Sequence, residues 1–354
     1  MNSSNQTENT EQLGLKVTSP GMLSLLQDSG RFGQHHNGLT TGGPVDSNAF
    51  KLANLLCTND ENLTAIEISL GGLELESNVA TTIAVTGADM PFTINGKKQP
   101  LWQSLNVNKG DKIALGFAQN GVRSYLAVKG GFKVKPMFGS TSTVVRENIG
   151  GINGDKLAIG DLLPCNPDKC TSAETAIKGE KEGQNQCQSQ NHNIVKNKPS
   201  YHNEVTLRVI LGYQQDAFNN VQKQMFFSSE YTVSDSFDRM GYRLEGPSIK
   251  PNINGILSEG ICLGAIQVPP NGQPIVLLND RQTIGGYPKL GSVLSIDLAK
   301  LGQCRTGAKI RFEQISIEQA HNLLHLERFR YEKFKFEQYK HQQNGVQTKP
   351  LLNR

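Results

Sequence analysis

Short apolar runs broken by turn residues dominate the chain. Thr82–Thr86 and Pro91–Ile94 run into Asn95-Gly96, a dipeptide that favours a tight hairpin because both residues tolerate positive φ. Lys112–Leu115 follows the turn Asn108-Lys-Gly-Asp111, and Arg123–Val128 ends at Gly130-Gly131. Further on, Val205–Leu211, Tyr231–Ser234, Gly264–Val268, Ile275–Leu278, Val293–Ile296 and Lys309–Phe312 read as strands. Such spacing predicts a mainly β protein of barrels or sandwiches, not a doubly wound sheet. Two short helices are expected, at Val45–Cys57, capped by Asp46 or a neighbour, and at Ala217–Phe227. From Ser316 onward Ile317, Ala320, Leu323, Leu324 and Leu326 take helical spacing and predict a C-terminal helix.

Two polar stretches punctuate this pattern. Residues 1–12 form a polar tail, and residues 165–203, rich in Lys, Glu, Asn, Gln and Ser, read as a linker or insertion. The layout expected is therefore a β domain over 13–164, the linker, a second β domain over 204–316, and a basic helical tail over 317–354. Ile66–Leu73 and Arg243–Ile249 each place an apolar–Glu segment before a glycine turn, a weak echo between the halves.

Charge changes the picture only at the end of the chain. The net charge is +4, but residues 305–354 hold 10 Lys/Arg against 5 Asp/Glu, while the rest holds 26 against 27. A neutral body argues against nucleic-acid binding. No run of 18 apolar residues predicts a membrane span, and Met1–Gln12 lacks the basic and apolar regions of a secretion signal, so a cytoplasmic location is expected. The six cysteines (Cys57, Cys165, Cys170, Cys187, Cys262 and Cys304) include no Cys-x-x-Cys pair and read as free thiols, with no metal site expected.

Candidate chemistry lies in four glycine-bracketed polar clusters. Gln27–Gly33 leads into Gly42–Asp46, where Arg31 offers a planar fork to a carboxylate or phosphate, or else pairs with Asp28 in a turn. Gly139-Ser-Thr-Ser-Thr143 can hold an oxyanion or form a hydroxyl-rich turn. Ser236–Arg243 carries Asp238-Arg239, which can orient a polar substrate or make a structural ion pair. The fourth joins Gly264–Gly272 to Asp280–Pro288 and supplies Gln267, Arg281, Gln282 and Tyr287. His321 and His325, one helical turn apart, read as a solvated helix face.

At these clusters the chain resembles the carboxyltransferase-domain family, which includes the C-type component of 5-oxoprolinase and part of the carboxyltransferase domain of urea carboxylase. The matching stretches are Gln27–Gly33, Gly42–Asp46, Val85–Asp89, Ser124–Gly131, Gly139–Thr143, Asp238–Gly246, Gly264–Gly272 and Asp280–Pro288. Phe237 and Ile284 depart from the family's usual residues. The resemblance implies two tandem cyclophilin-like β-barrels. It further implies a subunit of an ATP-dependent complex that opens 5-oxo-L-proline to L-glutamate. In that reading a companion carboxyltransferase-family protein and a separate catalytic protein are partners, and the ATP site is shared with the companion. Alternatives in the same family are a carboxyltransferase module of a biotin-dependent urea or amide carboxylase, with biotin as cofactor, and a non-catalytic regulatory binder. Under the first reading Arg31 and Asp46 from the first half, with Arg239, Gln267, Arg281, Gln282 and Tyr287 from the second, line one cleft. Arg281 or Arg239 anchors a carboxylate or phosphoryl group, Gln267 and Gln282 hold the amide, and Asp46 accepts a proton.

Overall fold

In the computed structural model the described residues are 12–168, 194–195, 198–253 and 255–346, with side chains to 337. The expected tail over 1–11, most of the 165–203 stretch with Cys170, Cys187 and His192, and the chain after 346 lie outside them.

The chain is mainly β, with a closed barrel in its second half. In the first half, one sheet orders the strands Leu162–Pro164, Gly14–Pro20, Leu73–Ser77, Lys112–Leu115, Phe92–Ile94 and Lys97–Lys98. The other orders Leu23–Gln27, Ala65–Ser69, Asn120–Val128, Thr81–Asp89 and Ser104–Val107. Alternation does the work expected of it: along Leu73–Ser77 the two leucines point inward and Glu74 and Glu76 face water. The inward sets, among them Leu15, Leu75, Ile83, Val85, Ile113 and Leu126, make one core. At Asn95-Gly96 both residues have positive φ (53° and 74°), and the predicted hairpin closes with Ile94 opposite Lys97.

Helix α1 (Ser47–Leu56) packs on the outer face of the second sheet. Ala49, Phe50, Ala53 and Leu56 share its buried side, and the sheet offers Ala65, Ala84 and Ala127 there, small enough for close approach. The described ends of the polar stretch are docked on this half: Val195 is buried in the same cluster and its N–H donates to the Trp102 carbonyl at 3.0 Å.

In the second half Glu204–Leu211, Lys289–Val293, Ala265–Gln267, Ile275–Leu277, Gly241–Glu245, Glu230–Phe237 and Lys309–Gln314 follow one another around the barrel. A parallel pairing of the first with the last, Val205 opposite Ile310, closes it. The strand expected at Val293–Ile296 lies instead at Lys289–Val293, and a 3₁₀ turn occupies Ser295–Asp297. Leu207, Val209, Tyr231, Leu244, Ile266, Val276 and Phe312 fill the barrel. Helix α2 (Asn220–Ser228) contributes Phe226, which stacks on Phe312 with centroids 4.3 Å apart. The short helix α3 (Leu298–Gly302) follows the 3₁₀ turn, and helix α4 (Ile317–Val346) runs back over α1, with Lys51 Nζ 5.4 Å from the Tyr331 ring.

The halves interlock. Val45, from the first, is buried in the core of the second, and an added Cβ on Gly302 would stand 2.4 Å from Val45 Cγ1. Beside this latch lies a buried ionic cluster. Arg239 makes a two-pronged bond to Asp280 (2.8 and 2.9 Å), reaches Glu67 of the first half, and donates to the Gly43 carbonyl at 2.8 Å. Glu67 also accepts from Tyr125 Oη at 2.7 Å and from the Val45 N–H at 2.9 Å. Arg123 answers from the first half, donating to Tyr242 Oη at 2.9 Å and to the Gly302 carbonyl. Gln303 completes the lock: its oxygen accepts from the Val122 and Arg123 N–H groups, and its amide donates to Asp46 at 2.8 Å.

Candidate functional site

Two of the polar clusters found in the sequence turn out to be one structure. Asp28 accepts from the hydroxyls of Ser140 (2.6 Å) and Ser142 (2.7 Å) and from the N–H groups of Thr141 and Gly30. Burial works against its charge, but these four donors hold its carboxyl below the usual aspartate range. Arg31 lies in the same loop system. Its Nε donates to the Met137 carbonyl at 3.0 Å and its Nη2 to the Ser142 carbonyl at 3.0 Å. Thus Gly139–Thr143 is held by Asp28 and Arg31: the Ser140 and Ser142 hydroxyls are spent on Asp28, while that of Thr141 meets the Thr64 hydroxyl and that of Thr143 donates to the Leu26 carbonyl. One nitrogen of Arg31, Nη1, is buried with no partner.

The fourth cluster forms on the outside of the barrel, under a two-stranded flap, Glu259–Gly260 against Ile284–Gly285. Arg281 is 5% exposed; its Nε donates to the Ile261 carbonyl (3.1 Å) and its Nη1 to the Leu278 carbonyl (3.3 Å). Gln267 is 1% exposed and its Nε2 is buried without a partner. It sits under the flap, for a Cβ on Gly285 would stand 2.8 Å from that nitrogen. Lys289, opposite Gln267 in the strand register, is buried and pairs with Glu259.

The first half meets this flap region through residues 35–42. Thr40 Oγ1 donates to the Arg281 carbonyl at 2.9 Å, and the Thr40 N–H donates to the Glu147 carboxylate at 3.0 Å. His35 contacts Thr41 Oγ1 at 3.0 Å; partial burial and the Arg281 charge both push its pKa down. The Arg31 N–H donates to the Thr41 carbonyl at 2.6 Å. Arg31, His35, Gln267 and Arg281 therefore belong to one seam between the halves. Its open groups are N–H donors, so it suits a ligand bearing oxygen acceptors, a carboxylate or an amide carbonyl.

The remaining expected site residues fall elsewhere. Asp46 is the N-cap of α1: Oδ1 accepts from the Ala49 N–H at 3.0 Å, and Oδ2 accepts from Gln303 and from Tyr201 Oη at 3.0 Å. Burial raises its pKa against those hydrogen bonds. Both oxygens are engaged and the side chain is buried, so we place it in the interlock. Arg239 belongs there too, since Glu67, Asp280 and Gly43 take its donors. Gln282 is half-buried and Tyr287 exposed, both on the flap side of the seam. Lys289, Thr40, Glu67 and Arg123 were not singled out in the sequence as site or interlock residues. A separate cavity of about 600 Å³ is lined by Asp89, Trp102, Asn120 and Lys198–Tyr201, none of them among the expected site residues, and its Tyr201 donates to Asp46.

Residues 37–314 match the family model for the carboxyltransferase domain, subdomains A and B. The chain belongs to this carboxyltransferase-domain family. It is 36% identical over 307 residues to the C-type component of 5-oxoprolinase from Escherichia coli, covering 86% of this chain and 93% of that protein. It is 32% identical to urea amidolyase of Saccharomyces cerevisiae, over 88% of this chain but 17% of that protein. The crystal structure of the Kluyveromyces lactis urea amidolyase superposes with a TM-score of 0.80 at 27% identity, covering 91% of this chain and 20% of that one. The seam lies between the parts of this carboxyltransferase-domain protein that the resemblance expected as two barrels. No helix among the described residues is long and apolar enough to cross a membrane.

Proposed function

We propose that this protein is a subunit of an ATP-dependent 5-oxoprolinase complex, located in the cytoplasm, and that the seam recognises 5-oxo-L-proline. The observation that carries the reading is the span of the likeness. The chain covers 93% and 90% of two C-type 5-oxoprolinase components, but only 17% to 25% of the urea enzymes it matches. The chemistry of the seam supports it. 5-Oxoproline carries a carboxylate and a lactam carbonyl, both acceptors, and Arg31, Arg281 and Gln267 offer donors from both halves. Arg281 is assigned to the carboxylate and Gln267 to the lactam oxygen, with Gln282 and Tyr287 at the rim.

The N-termini of the longer helices carry side-chain caps, Asp46 on α1, Asn219 on α2 and Ser316 on α4, where a phosphate would otherwise approach. The nucleotide is accordingly assigned to a site completed by a companion protein, and no step here is routed through it. A lactam is an unactivated amide, and coupling its opening to ATP hydrolysis makes the conversion favourable. This chain's part is to bind and orient the substrate.

The test is co-expression with the companion proteins and measurement of glutamate released from 5-oxoproline with and without ATP. ATP-dependent glutamate that disappears on Arg281→Ala supports the proposal. A stable, ATP-supplied complex that releases none refutes it. The likeness to urea amidolyase favours a second reading, a biotin-dependent carboxyltransferase module, which predicts instead that carboxybiotin is consumed in the presence of urea or a related amide.

A further inference from the structure

The flap beside the seam closes on a carboxylate cradle. Lys289 is 7% exposed, and among the described residues its Nζ has one side-chain partner, the Glu259 carboxylate. Gln214 supplies a second donor. Its Oε1 accepts from the Lys289 N–H at 2.8 Å, which fixes the amide, and its Nε2 donates to Glu259 at 2.8 Å. Both donors converge on one oxygen, Glu259 Oε1. Lys289 lies on a barrel strand, whereas Glu259 lies on a flap of two residues per strand, with its side chain 31% exposed. A buried ammonium needs a countercharge, and here the flap provides it. Gln267 sets this cradle against an open donor. The neighbouring Ile266 and Leu290 point into the barrel core, which sends Gln267 and Lys289, opposite each other in the register, to the same outer face. From the other side, Glu259 pairs with Gly285, and a Cβ on Gly285 would stand 2.8 Å from Gln267 Nε2. That nitrogen is buried with no partner. The ammonium, the fixed amide and the open N–H together make a place for a carboxylate that does not belong to the chain.

We propose that Lys289 and Gln214 form a carboxylate subsite of the seam, which Glu259 of the flap occupies until a ligand carboxylate displaces it. The ligand class is a small dicarboxylate, and this assignment rests on the 5-oxoproline reading. In that reading one carboxylate lies on Arg281 and the lactam oxygen on Gln267. Ring opening adds one water overall. Its oxygen bonds to the lactam carbon, the C–N bond breaks, and both its protons end on the nitrogen as ammonium. The lactam carbonyl thereby becomes a second carboxylate beside Lys289. It supplies the acceptor that Gln267 lacks, takes the ammonium from Glu259 and releases the flap, so that the product loosens the cover over its own site.

The test titrates the full-length chain with glutarate, the dicarboxylate skeleton of glutamate, in a calorimeter. Glu259→Ala removes the internal competitor. With the flap open in about a tenth of molecules or fewer, glutarate should bind this variant at least about tenfold more tightly than the parent. Adding Lys289→Met should abolish that gain. An ion pair that serves only the fold predicts the opposite sign, so unchanged or weaker binding by a folded Glu259→Ala protein overturns the proposal, as does absence of glutarate binding to both proteins. Should the variant not fold, deuterium uptake by the parent decides. Glutarate should speed exchange several-fold in peptides covering 256–261 and 283–286, where the Ile256 and Ile261 N–H groups are bonded across the flap, and slower or unchanged uptake refutes the subsite. Failure of the 5-oxoproline reading shows separately, as an assembled complex that releases no glutamate while glutarate still binds the chain as expected.

Discussion

Arg239 separates two ways of reading an arginine in a glycine-rich motif. If it serves the fold, its removal should unfold the protein; if it serves the substrate, its removal should leave a stable, inactive protein. The geometry points to the fold. Arg239 and its partners Glu67 and Asp280 are each buried, and Arg239 is the cation that both carboxylates share across the two halves. Arg239→Ala leaves both acids inside the protein, with Arg123, 3.7 Å from Glu67, as the nearest remaining countercharge.

Breaking a buried pair by deleting one partner costs about 3–5 kcal/mol, because the other charge stays desolvated. At roughly 2–4 °C per kcal/mol for domains of this size, the melting temperature should fall by on the order of 10 °C. The assay is differential scanning calorimetry of parent and variant at neutral pH. Arg239→Ala with Asp280→Asn should recover part of the loss, since Asp280 then carries no charge and Glu67 keeps Arg123 as its countercharge. A single variant that melts with the parent but has lost substrate binding would refute the structural assignment and return Arg239 to the seam.

Other outcomes follow from the same geometry. Burial opposes ionisation of Glu67, yet Arg239 and Arg123 hold its carboxyl below the usual 4.5. Its contribution to stability is therefore fully present above pH 4.5 and is lost as pH falls below it; Glu67→Gln should flatten that limb of a pH–melting curve. Gly302→Ala drives a methyl into Val45 and should lower the melting temperature by several degrees, an overpacking cost of about 1–3 kcal/mol; unchanged stability would mean that the latch yields freely. Gln267→Leu removes an unpaired buried donor, so it should stabilise the fold or leave it unchanged while weakening 5-oxoproline binding in calorimetry.

The strands and helices were legible where local pattern and tertiary packing agree. Lys112–Leu115 forms as predicted, Asn95-Gly96 makes its turn, and Asp46 caps α1. Leu23–Gln27 was missed because four of its five residues are buried, so it shows no alternation. Lys289–Val293 was displaced because Pro288 and Gly291 look like turn signals. Gly291 is needed inside the strand, where an added Cβ would stand 2.3 Å from the Ile210 carbonyl. In the seam, Arg31, Gln267 and Arg281 stood out as polar groups among glycines. Glu67 appeared only as part of an echo with Glu245, yet one is buried and the other exposed. No local pattern shows that a strand glutamate faces arginines from two halves of the chain. The Asp28–Ser142 and Arg239–Glu67 contacts span 114 and 172 residues, so only the folded chain reveals which polar groups are already satisfied.

That distinction organises the molecule. Asp46, Glu67, Arg239, Asp280 and Gln303 are paired with one another and with neighbouring groups; Arg123 Nε lacks a hydrogen bond but lies 3.7 Å from the Glu67 carboxylate, and the cluster binds the halves together. Arg31 and Gln267 each keep a buried N–H without an acceptor, at a desolvation cost of about 1–3 kcal/mol apiece. Arg123 Nε at least faces the Glu67 carboxylate, whereas Arg31 Nη1 and Gln267 Nε2 have no partner among the described residues. The two features complement each other in the proposed reading: the interlock holds the halves together, and donors fixed in advance would meet a carboxylate or lactam oxygen without reorganising. The arginine that looks most engaged in the sequence motif, Arg239, is therefore the one least available to a ligand, and the open nitrogens of Arg31, Gln267 and Arg281 are the ones the proposed 5-oxoproline reading calls on.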